Sequence, residues 1–328
     1  MEMRKFFSNE LEKYMIQNSN IVVLNADLAK PNGFQDLSIK YPDRVFNVGI
    51  AEQNMACMAA GMSSYGFIPF ICSFTPFATR RICDQIAISI CYANQNVKII
   101  GTDPGLTAEY NGGTHMSVED IGVLRSIPNI VIFEPVDNNQ LKYALPEILK
   151  YNGPVYIRML RKEAPDIINN SSDFNLFGSK IIKTGTDVTI FCSGIMTSEA
   201  IRAGEILESQ NISTEIINIH TIKPIDKSTV IKSAQKTKAV ITAENHNIIG
   251  GLYSAVCEVL SENCPVPVKS IGIKDTFGQV GKLDYLKSVY NMQADDIVKS
   301  VHEVLKLKKR RAPRELTKKQ VKNEERGR

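Results

Sequence analysis

Short apolar runs alternate along this chain with longer segments of helical periodicity. The runs cover residues 21–24, 45–48, 67–72, 97–100, 130–133 and 155–157 in the first half, and 188–192, 214–219, 239–242 and 268–271 in the second. Runs of this length that are rich in Val, Ile and Phe are typical of buried strands, with crossover helices between them. The pattern predicts an α/β fold with two doubly wound domains, each built on a mainly parallel sheet.

A polar stretch of poor periodicity divides the two sets of runs. We place the first domain at residues 1–165, a linker at 166–184 and the second domain at 185–305. Residues 306–328 contain eleven Lys or Arg and three Glu, so this tail has a net charge of +8 in a chain of net charge +4. The tail is poor in apolar residues, so we expect it to be disordered or a frayed helix. No aromatic residue lies among its charges, which favours a solvated terminus over a nucleic acid-binding element.

The composition is that of a globular protein of 328 residues, with 43% hydrophobic and 23% charged residues. No apolar run approaches the roughly 18–20 residues of a membrane helix, and residues 1–7 lack the apolar stretch of a signal peptide, so we expect a cytoplasmic protein. The seven cysteines form no Cys-x-x-Cys pair and have no histidine at zinc-ligand spacing. They are interpreted as small core residues, and no metal site is predicted in this chain.

A carboxylate falls at the start of an apolar helix. Strand residues 45–48 lead into a turn at Gly49, and the helix predicted after Glu52 is apolar on nearly every face. A buried carboxylate costs several kcal/mol unless it is paired, so we expect a specific partner if Glu52 is enclosed. The alternative is a first-turn glutamate that only complements the helix dipole. This window alone does not decide between the two.

Two further segments follow predicted strands, at the sheet edge where parallel sheets bind ligands. Phe74 and Phe77 flank Pro76, a good first helical residue, and they can offer a flat face to a planar heterocycle or pack in the core. Residues 101–115 combine glycines with polar side chains, which suits either a ligand-binding loop or a surface turn. Taken singly, neither segment identifies a function.

Taken together, the order and spacing of these segments resemble the pyrimidine-binding and C-terminal domains of thiamine diphosphate enzymes of the transketolase family. The similarity spans roughly residues 1–305. It rests on residues 26–29 (Ala-Asp-Leu-Ala), 49–53 (Gly-Ile-Ala-Glu-Gln), 74–77 (Phe-x-x-Phe), 111–115 (Asn-Gly-Gly-Thr-His) and 244–251 (beginning Glu-Asn-His). Each motif alone is weak, whereas the combination is specific. The resemblance implies a pyrimidine-binding domain followed by a transketolase C-terminal-type domain.

The resemblance also implies which residues contact the cofactor. Glu52 matches the catalytic glutamate that hydrogen-bonds the pyrimidine N1′ atom and favours the tautomer that activates the thiazolium carbon. Phe77 matches the ring that stacks on the pyrimidine, with Phe74 beside it. His115 matches a catalytic histidine near the carbonyl and hydroxyl groups of the substrate. The remaining implied cofactor contacts are Asp27 and Arg80.

The diphosphate half of the cofactor site has no counterpart in this sequence. Full-length family members hold the diphosphate through Mg²⁺ in an N-terminal domain with a Gly-Asp-Gly motif, which is missing here. We therefore expect this chain to bind thiamine diphosphate by its pyrimidine end only, with the Mg²⁺ ligands on a separate partner subunit. The resemblance implies an active site at the interface of an α2β2 assembly.

At the substrate end the sequence departs from the family pattern. Arg4 and Arg161 match two arginines that bind the phosphate of a phosphosugar, and Arg158 is a nearby spare. The serine of the family pattern falls on Pro31, and its histidine falls on Asp103. A carboxylate at that position is unfavourable beside a phosphate dianion, so either the phosphate lies elsewhere or the substrate is not a standard phosphosugar.

The predicted activity is transfer of a two-carbon ketol unit from a ketose or ketose phosphate to an aldose, by a subunit that is active only with its partner. Asn111 stands where the family has the acid that contacts the C2 hydroxyl of the donor, so the identity of the donor stays open. The alternatives are the β subunit of a 2-oxoacid dehydrogenase, a deoxyxylulose-phosphate-synthase-like half, and a non-catalytic interaction protein that uses the basic tail. The Thr114-His115 pair and the arginines favour the transketolase type over the dehydrogenase. The presence of Glu52, Phe77 and His115 counts against a non-catalytic protein.

Overall fold

Six strands of the first half form a parallel sheet. The computed structural model describes residues 1–169 and 174–311. The strands are β1 (Ile21–Asn25), β2 (Val45–Asn47), β3 (Ile68–Phe74), β4 (Lys98–Thr102), β5 (Val131–Phe133) and β6 (Val155–Met159). They lie in the order β2-β1-β3-β4-β6-β5, with every pair parallel. All six predicted strands are therefore present.

Helices cover both faces of this sheet. They are α1 (Met3–Gln17), α2 (Gln35–Lys40), α3 (Glu52–Ser64), α4 (Thr75–Ala78), α5 (Cys83–Gln85), α6 (Asp120–Arg125) and α7 (Asn138–Lys150), with 3-10 segments at Arg80–Ile82 and Gly105–Asn111 and a π-helix at Ile86–Tyr92. Alternate residues of β1 enter different apolar clusters: Val23 packs with α1 and α7, and Val22 packs with α3. The strands are continuous apolar runs because both faces are buried.

The helix predicted to begin near Pro76 is interrupted. α4 contains only four residues, its N-cap is Phe74, and Thr79 then leaves helical geometry at φ −133°, ψ −82°. The Thr75 hydroxyl donates to the carbonyl of Thr102 on β4 at 2.9 Å, and the Thr79 hydroxyl donates back to the carbonyl of Thr75 at 2.6 Å. These threonines satisfy local backbone groups and so compete with a continuous helix.

The second half forms another doubly wound unit. Its strands are β7 (Lys180–Lys183), β8 (Val188–Cys192), β9 (Thr214–Asn218), β10 (Thr221–Lys223), β11 (Val240–Asn247) and β12 (Val268–Ile273). Its helices are α8 (Met196–Ser209), α9 (Lys227–Thr237), α10 (Leu252–Asn263), α11 (Leu283–Val289) and α12 (Ala294–Arg311). The sheet order is β12-β11-β8-β9-β7. The two α/β domains predicted from the sequence are confirmed.

Two short strands depart from the predicted layout, and both are antiparallel. β7 lies inside the segment predicted as a linker and pairs with β9 at the edge of the second sheet. β10 follows β9 in the chain but pairs with β5 and so extends the first sheet. Neither strand is a continuous apolar run, and their pairing depends on distant partners, which sequence periodicity does not report. The edge strand of the first sheet is therefore supplied by the second half of the chain.

The segment after β4 belongs to the core of the second domain. Leu106, Ala108 and Met116 pack in the same apolar cluster as α8 and α12. Gly105 has φ +55°, and a Cβ atom there would lie 2.4 Å from the carbonyl oxygen of Asn245, so only glycine fits this approach. The Asn245 side chain is bonded on both sides, to the amide of Leu106 at 2.9 Å and to the carbonyl of Pro104 at 2.9 Å.

The predicted tail begins inside a helix, because α12 continues to Arg311. Residues 312–328 of that tail lie outside the described residues. None of the described helices has the length and apolarity required to cross a membrane.

Candidate active site

The site residues converge because parallel strands end at one edge of a sheet. Asp27, Glu52, Phe74 and Asp103 each follow or end one of the neighbouring strands β1, β2, β3 and β4 at its carboxyl end. Positions that are distant in the chain thus lie together at the carboxyl edge of the sheet. Residues from the N-terminus and from the segment after β6 lie beside them at one end of this edge.

Glu52 is the first residue of α3 and is 4% exposed. Gly49 makes the turn before it at φ +75°, a conformation that favours glycine. The Glu52 carboxylate accepts a hydrogen bond through Oε1 from Nη1 of Arg81 at 2.7 Å. Glu52 is therefore an enclosed carboxylate with a specific partner, and more than a first-turn glutamate that complements the helix dipole.

Phe77 lies under the same arginine. The Cζ atom of Arg81 is 3.8 Å from the centre of the Phe77 ring, while Phe74 lies 6.3 Å from Phe77 between ring centres. The structure thus holds a planar, hydrogen-bonding group against both Glu52 and the Phe77 ring. An aminopyrimidine ring is also planar and carries donors at its edge, so these residues fit such a ring.

His115 stands edge-on to both phenyl rings. Its ring centre is 5.2 Å from that of Phe77 and 6.2 Å from that of Phe74. Nδ1 lies 2.9 Å from the hydroxyl oxygen of Thr114. The remaining ring nitrogen, Nε2, is the one that can donate a proton to a substrate or accept one from it.

Arg80 and Arg81 occupy different places. Arg80, predicted as a cofactor contact, is paired through Nη1 with Glu119 Oε1 at 2.7 Å, and Arg81 is the arginine that contacts Glu52. The sequence interpretation missed Arg81. Helical spacing could not have found it, because the chain leaves helical geometry at Thr79, between Phe77 and Arg81.

Asp27 lies at the exposed end of β1 with φ +61°. Its carboxylate accepts a hydrogen bond from the side-chain amide of Asn47 at 3.0 Å, and its amide donates to Oδ1 of Asn47 at 2.9 Å. The same Oδ1 accepts from the amide of Gly49 at 3.0 Å. Asp27 therefore ties the end of β1 to the turn that leads into Glu52.

The substrate end is built around an ion pair between Asp103 and Arg161. Asp103 is 3% exposed and accepts through Oδ1 from the amide of Arg161 at 3.1 Å, while Oδ2 accepts from the Nε atom of Arg161. Burial raises the pKa of Asp103, and the Arg161 guanidinium opposes that rise. The guanidinium also lies over Phe74, with its Cζ atom 4.7 Å from the ring centre.

Arg4 reaches the same place from α1. Its amide donates to the carbonyl of Arg161 at 3.5 Å, and its guanidinium donates to the carbonyl of Pro31 at 2.7 Å. The Glu2 carboxylate accepts from Nε and Nη2 of Arg4 at 3.1 and 3.0 Å. The residues that the sequence assigned to the sugar phosphate thus lie together, but each arginine is already paired with a carboxylate.

The loop that carries Asn111 and His115 is held by the second domain. Asn111 is exposed, and Glu109 just before it has the strained backbone angles φ 48°, ψ −112°. The amide of Leu283 donates to Oε1 of Glu109 at 3.2 Å. A Cβ atom on Gly113 would lie 2.7 Å from the carbonyl oxygen of Gly278. The C-terminal domain therefore fixes the loop in which His115 is presented.

Arg158, predicted as a spare substrate arginine, lies in the interior and away from the cluster of Arg4 and Arg161. Its side chain is fully buried and is bonded to Asp120 through Nε at 2.7 Å, to Glu134 through Nη1, and to the carbonyl of Asn245 through Nη2 at 2.8 Å. Burial alone would raise the pKa of Asp120, but the Arg158 guanidinium, His246 and the Tyr156 hydroxyl together outweigh it and hold that pKa below its usual range. The guanidinium is enclosed, and all three of its nitrogens are hydrogen-bonded within the protein.

No group of three or more His, Cys, Asp or Glu side chains is placed to hold a metal ion within the described ranges 1–169 and 174–311. The site consists instead of a buried carboxylate, two phenyl rings, an edge-on imidazole and a cluster of paired charges. This arrangement suits a planar aromatic cofactor at one end and a small polar substrate at the other.

Comparison with known proteins identifies the class that this fold and site define, the pyrimidine-binding half of a thiamine diphosphate enzyme. Residues 1–166 match the family described as "Transketolase, pyrimidine binding domain", and residues 178–297 match "Transketolase, C-terminal domain". The chain belongs to the transketolase family.

Individual relatives are subunits of split enzymes. The chain is 48% identical over 306 residues to a 6-deoxy-6-sulfo-D-fructose transketolase subunit of Clostridium sp. (strain MSTE9), covering 93% of this chain and 95% of the relative. It is 33% identical to one subunit of an apulose-4-phosphate transketolase of Phocaeicola vulgatus, covering 92% and 97%. A solved structure described as "Split gene transketolase, inactive beta4 tetramer" has 39% identity and a TM-score of 0.87, covering 94% of this chain and 99% of that one.

Proposed function

We propose that this chain is the pyrimidine-binding subunit of a cytoplasmic, two-subunit transketolase that moves a two-carbon ketol unit from a ketose to an aldose. The observation that carries the proposal is the enclosed Glu52 carboxylate, which already accepts a hydrogen bond from a planar group stacked on Phe77. The cofactor thiamine diphosphate, when bound, supplies the carbon nucleophile that the side chains of a protein lack.

The residues of the chain have separate tasks in this proposal. Glu52 holds a proton between its Oε1 atom and a ring nitrogen, in the place where it now accepts from Arg81. Phe74 and Phe77 orient a planar ring and exclude water from Glu52. His115 exchanges a proton through Nε2 with the hydroxyl and carbonyl oxygens of the sugar.

A partner subunit supplies the other half of the site in this proposal, with the Mg²⁺ ligands and the diphosphate contacts. α3 and the π-helix lie side by side, with Cys57 Sγ 3.9 Å from Ser89 Oγ, and they leave large apolar side chains exposed. Met58 is 40%, Ile88 58% and Tyr92 84% exposed. Because this face adjoins Glu52, it suits an apolar subunit contact that completes the site in an α2β2 assembly.

The chain alone is expected to have no ketol-transfer activity, and mixing with the partner subunit is expected to create it. The test is coupled turnover with a ketose donor and an aldose acceptor, with thiamine diphosphate and Mg²⁺ present. Light scattering of the chain alone shows whether it associates, as the name of its solved relative says of that protein. Full turnover by the purified chain alone would contradict the two-subunit proposal.

The charges at the substrate end indicate what kind of donor the site accepts. Arg4 and Arg161 together carry two positive charges, and Glu2 and Asp103, which pair with them, carry two negative charges. These four charges therefore sum to zero, and the exposed Lys5, 3.5 Å from the Glu2 carboxylate, adds one positive charge nearby. A phosphate group carries a charge of about −1.5 to −2 at pH 7, whereas a sulfonate carries only about −1. We propose a donor with a monoanionic end, such as the 6-deoxy-6-sulfofructose in the name of the Clostridium relative.

Asp103→Asn is expected to shift donor preference towards phosphate by about tenfold in the ratio of kcat/KM values, since it removes one negative charge near the tail of the donor. Asparagine keeps the acceptor oxygen for the Arg161 amide and tolerates the φ of +52° at this position. The measurement is kcat/KM of the assembled enzyme with fructose 6-phosphate and with 6-deoxy-6-sulfofructose.

The matched control for this experiment is Asp43→Asn, which removes an exposed aspartate before β2. It should leave the ratio of the two kcat/KM values unchanged. An unchanged ratio in the Asp103→Asn enzyme as well would mean that Asp103 does not select the charge of the donor.

A further inference from the structure

Arg81 lies where the proposed cofactor ring has to lie. One face of its guanidinium covers the Phe77 ring, with a Cζ-to-centre distance of 3.8 Å, and Nη1 donates to Glu52 Oε1 at 2.7 Å. A pyrimidine that stacks on Phe77 while it bonds to the Glu52 carboxylate must lie between these two side chains, where the guanidinium now lies. The two groups cannot occupy these contacts together.

We propose that Arg81 is an internal competitor of the cofactor, and that its guanidinium must leave Glu52 and Phe77 before the pyrimidine ring binds. The inference rests on the proposed function, because it takes Glu52 and Phe77 as the pyrimidine site. It adds a residue that sets the cofactor affinity of this subunit through an equilibrium between a closed and an open pocket.

The closed state has a physical reason. Glu52 is 4% exposed, and a buried carboxylate without a partner is strongly unfavourable. Arg81 compensates that charge while no cofactor is present. Arginine suits this task better than lysine, because its planar guanidinium can stack on a ring and donate along its edge at the same time.

The open state is also accessible. The Arg81 side chain is 43% exposed, so its release into solvent requires no rearrangement of the core. A further contact of Arg81 is made by its backbone, where the carbonyl accepts from Nε2 of Gln53 at 3.5 Å. The side chain can therefore swing away while the 3-10 segment Arg80–Ile82 stays in place.

The test is calorimetric titration of thiamine diphosphate with Mg²⁺ into the assembled enzyme, with wild-type and Arg81→Ala chains. Removing the competitor is expected to tighten binding by about tenfold, from the combined loss of a partly exposed ion pair and a cation–π contact. Arg81→Lys should lie between the two, because lysine keeps the charge but not the planar stack. If the Arg81→Ala chain does not fold, the comparison of Arg81→Lys with the wild type still tests the proposal.

Arg44→Ala is the matched control. Arg44 also places its guanidinium over an aromatic ring, at 4.9 Å from the centre of Tyr41, and donates to a neighbour, the carbonyl of Met15, at 2.7 Å. It precedes β2, whereas the site follows that strand, so its loss should leave the cofactor affinity unchanged.

A double-mutant cycle with Glu52→Gln separates competition from a general loosening of the pocket. The gain in affinity from Arg81→Ala should shrink in the Glu52→Gln background, because Arg81 then has no carboxylate to hold it. Equal or weaker binding by the Arg81→Ala enzyme overturns the inference, and weaker binding would make Arg81 a cofactor ligand. If the wild-type enzyme itself binds no thiamine diphosphate, the proposed function fails and this inference fails with it.

Discussion

An assembled enzyme with Glu52→Gln is expected to lose cofactor activation by about 10²–10⁴-fold, the usual contribution of a positioned proton-transfer group. Glutamine has nearly the same shape as glutamate but cannot hold a proton between its oxygen and a ring nitrogen. The Glu52 carboxylate faces the Phe77 ring across Arg81, so the change acts where the ring is proposed to lie. The measurement is hydrogen–deuterium exchange at the reactive carbon of thiamine diphosphate, followed by NMR after acid quench.

Glu199→Gln is the control for this experiment. Glu199 is also a buried first-turn glutamate, is 1% exposed, and is paired with Arg202 and with Lys287 in the second domain. Its replacement should leave the exchange rate within a few fold of the wild type. The cofactor affinity and the thermal unfolding of both variants are recorded in parallel. Normal exchange in a folded Glu52→Gln enzyme that binds the cofactor would refute the role of Glu52.

Arg158→Met is expected to lower the free energy of unfolding by about 3–5 kcal/mol, because it leaves Asp120 and Glu134 as unpaired charges in a dry interface. Arg158 also donates to the carbonyl of Asn245 at 2.8 Å and so joins the two domains. Neutralising the carboxylates in the triple variant Asp120→Asn, Glu134→Gln, Arg158→Met should restore part of the loss. Urea unfolding followed by circular dichroism measures the effect.

Lys150→Met is the control, because the ion pair of Lys150 with Glu147 is at the surface, with 73% of the lysine side chain exposed. Its removal should lower stability far less than the loss of Arg158 does, because solvent screens an exposed pair. Arg158→Lys distinguishes the structural role from a substrate role. A substrate residue would raise the donor KM at unchanged stability, whereas an interface residue should lower stability at an unchanged donor KM.

The fold could be predicted from the sequence because the central strands are recognisable from their own residues. Runs such as 21–24 and 188–192 are apolar on both faces, and this property is visible without any partner strand. The strands β7 and β10 were missed because they are short, partly polar edge strands. Their structure comes from pairing with β9 and β5, which the local pattern does not contain.

The residues of the candidate site also differ in how far the sequence could identify them. Glu52, Phe77 and His115 could be selected by motif order, and the structure places them together at the ends of parallel strands. The roles of the arginines could not be selected in this way. The local sequence does not distinguish four arginines that the structure places differently. Arg80 pairs with Glu119, Arg81 pairs with Glu52, Arg158 is buried between the domains and Arg161 pairs with Asp103.

By itself, the sequence determined the two α/β domains, the family resemblance and the carboxylate at the start of α3. Only the tertiary structure decided that Arg81 covers Phe77, that Asp103 neutralises Arg161 and that the second domain holds the loop of His115. The physical reason is the range of each effect. Apolar periodicity depends on residues that are close in the chain, so the sequence shows it directly. The partner of a charged side chain depends on burial and on which distant segments approach it, so only the folded structure shows it.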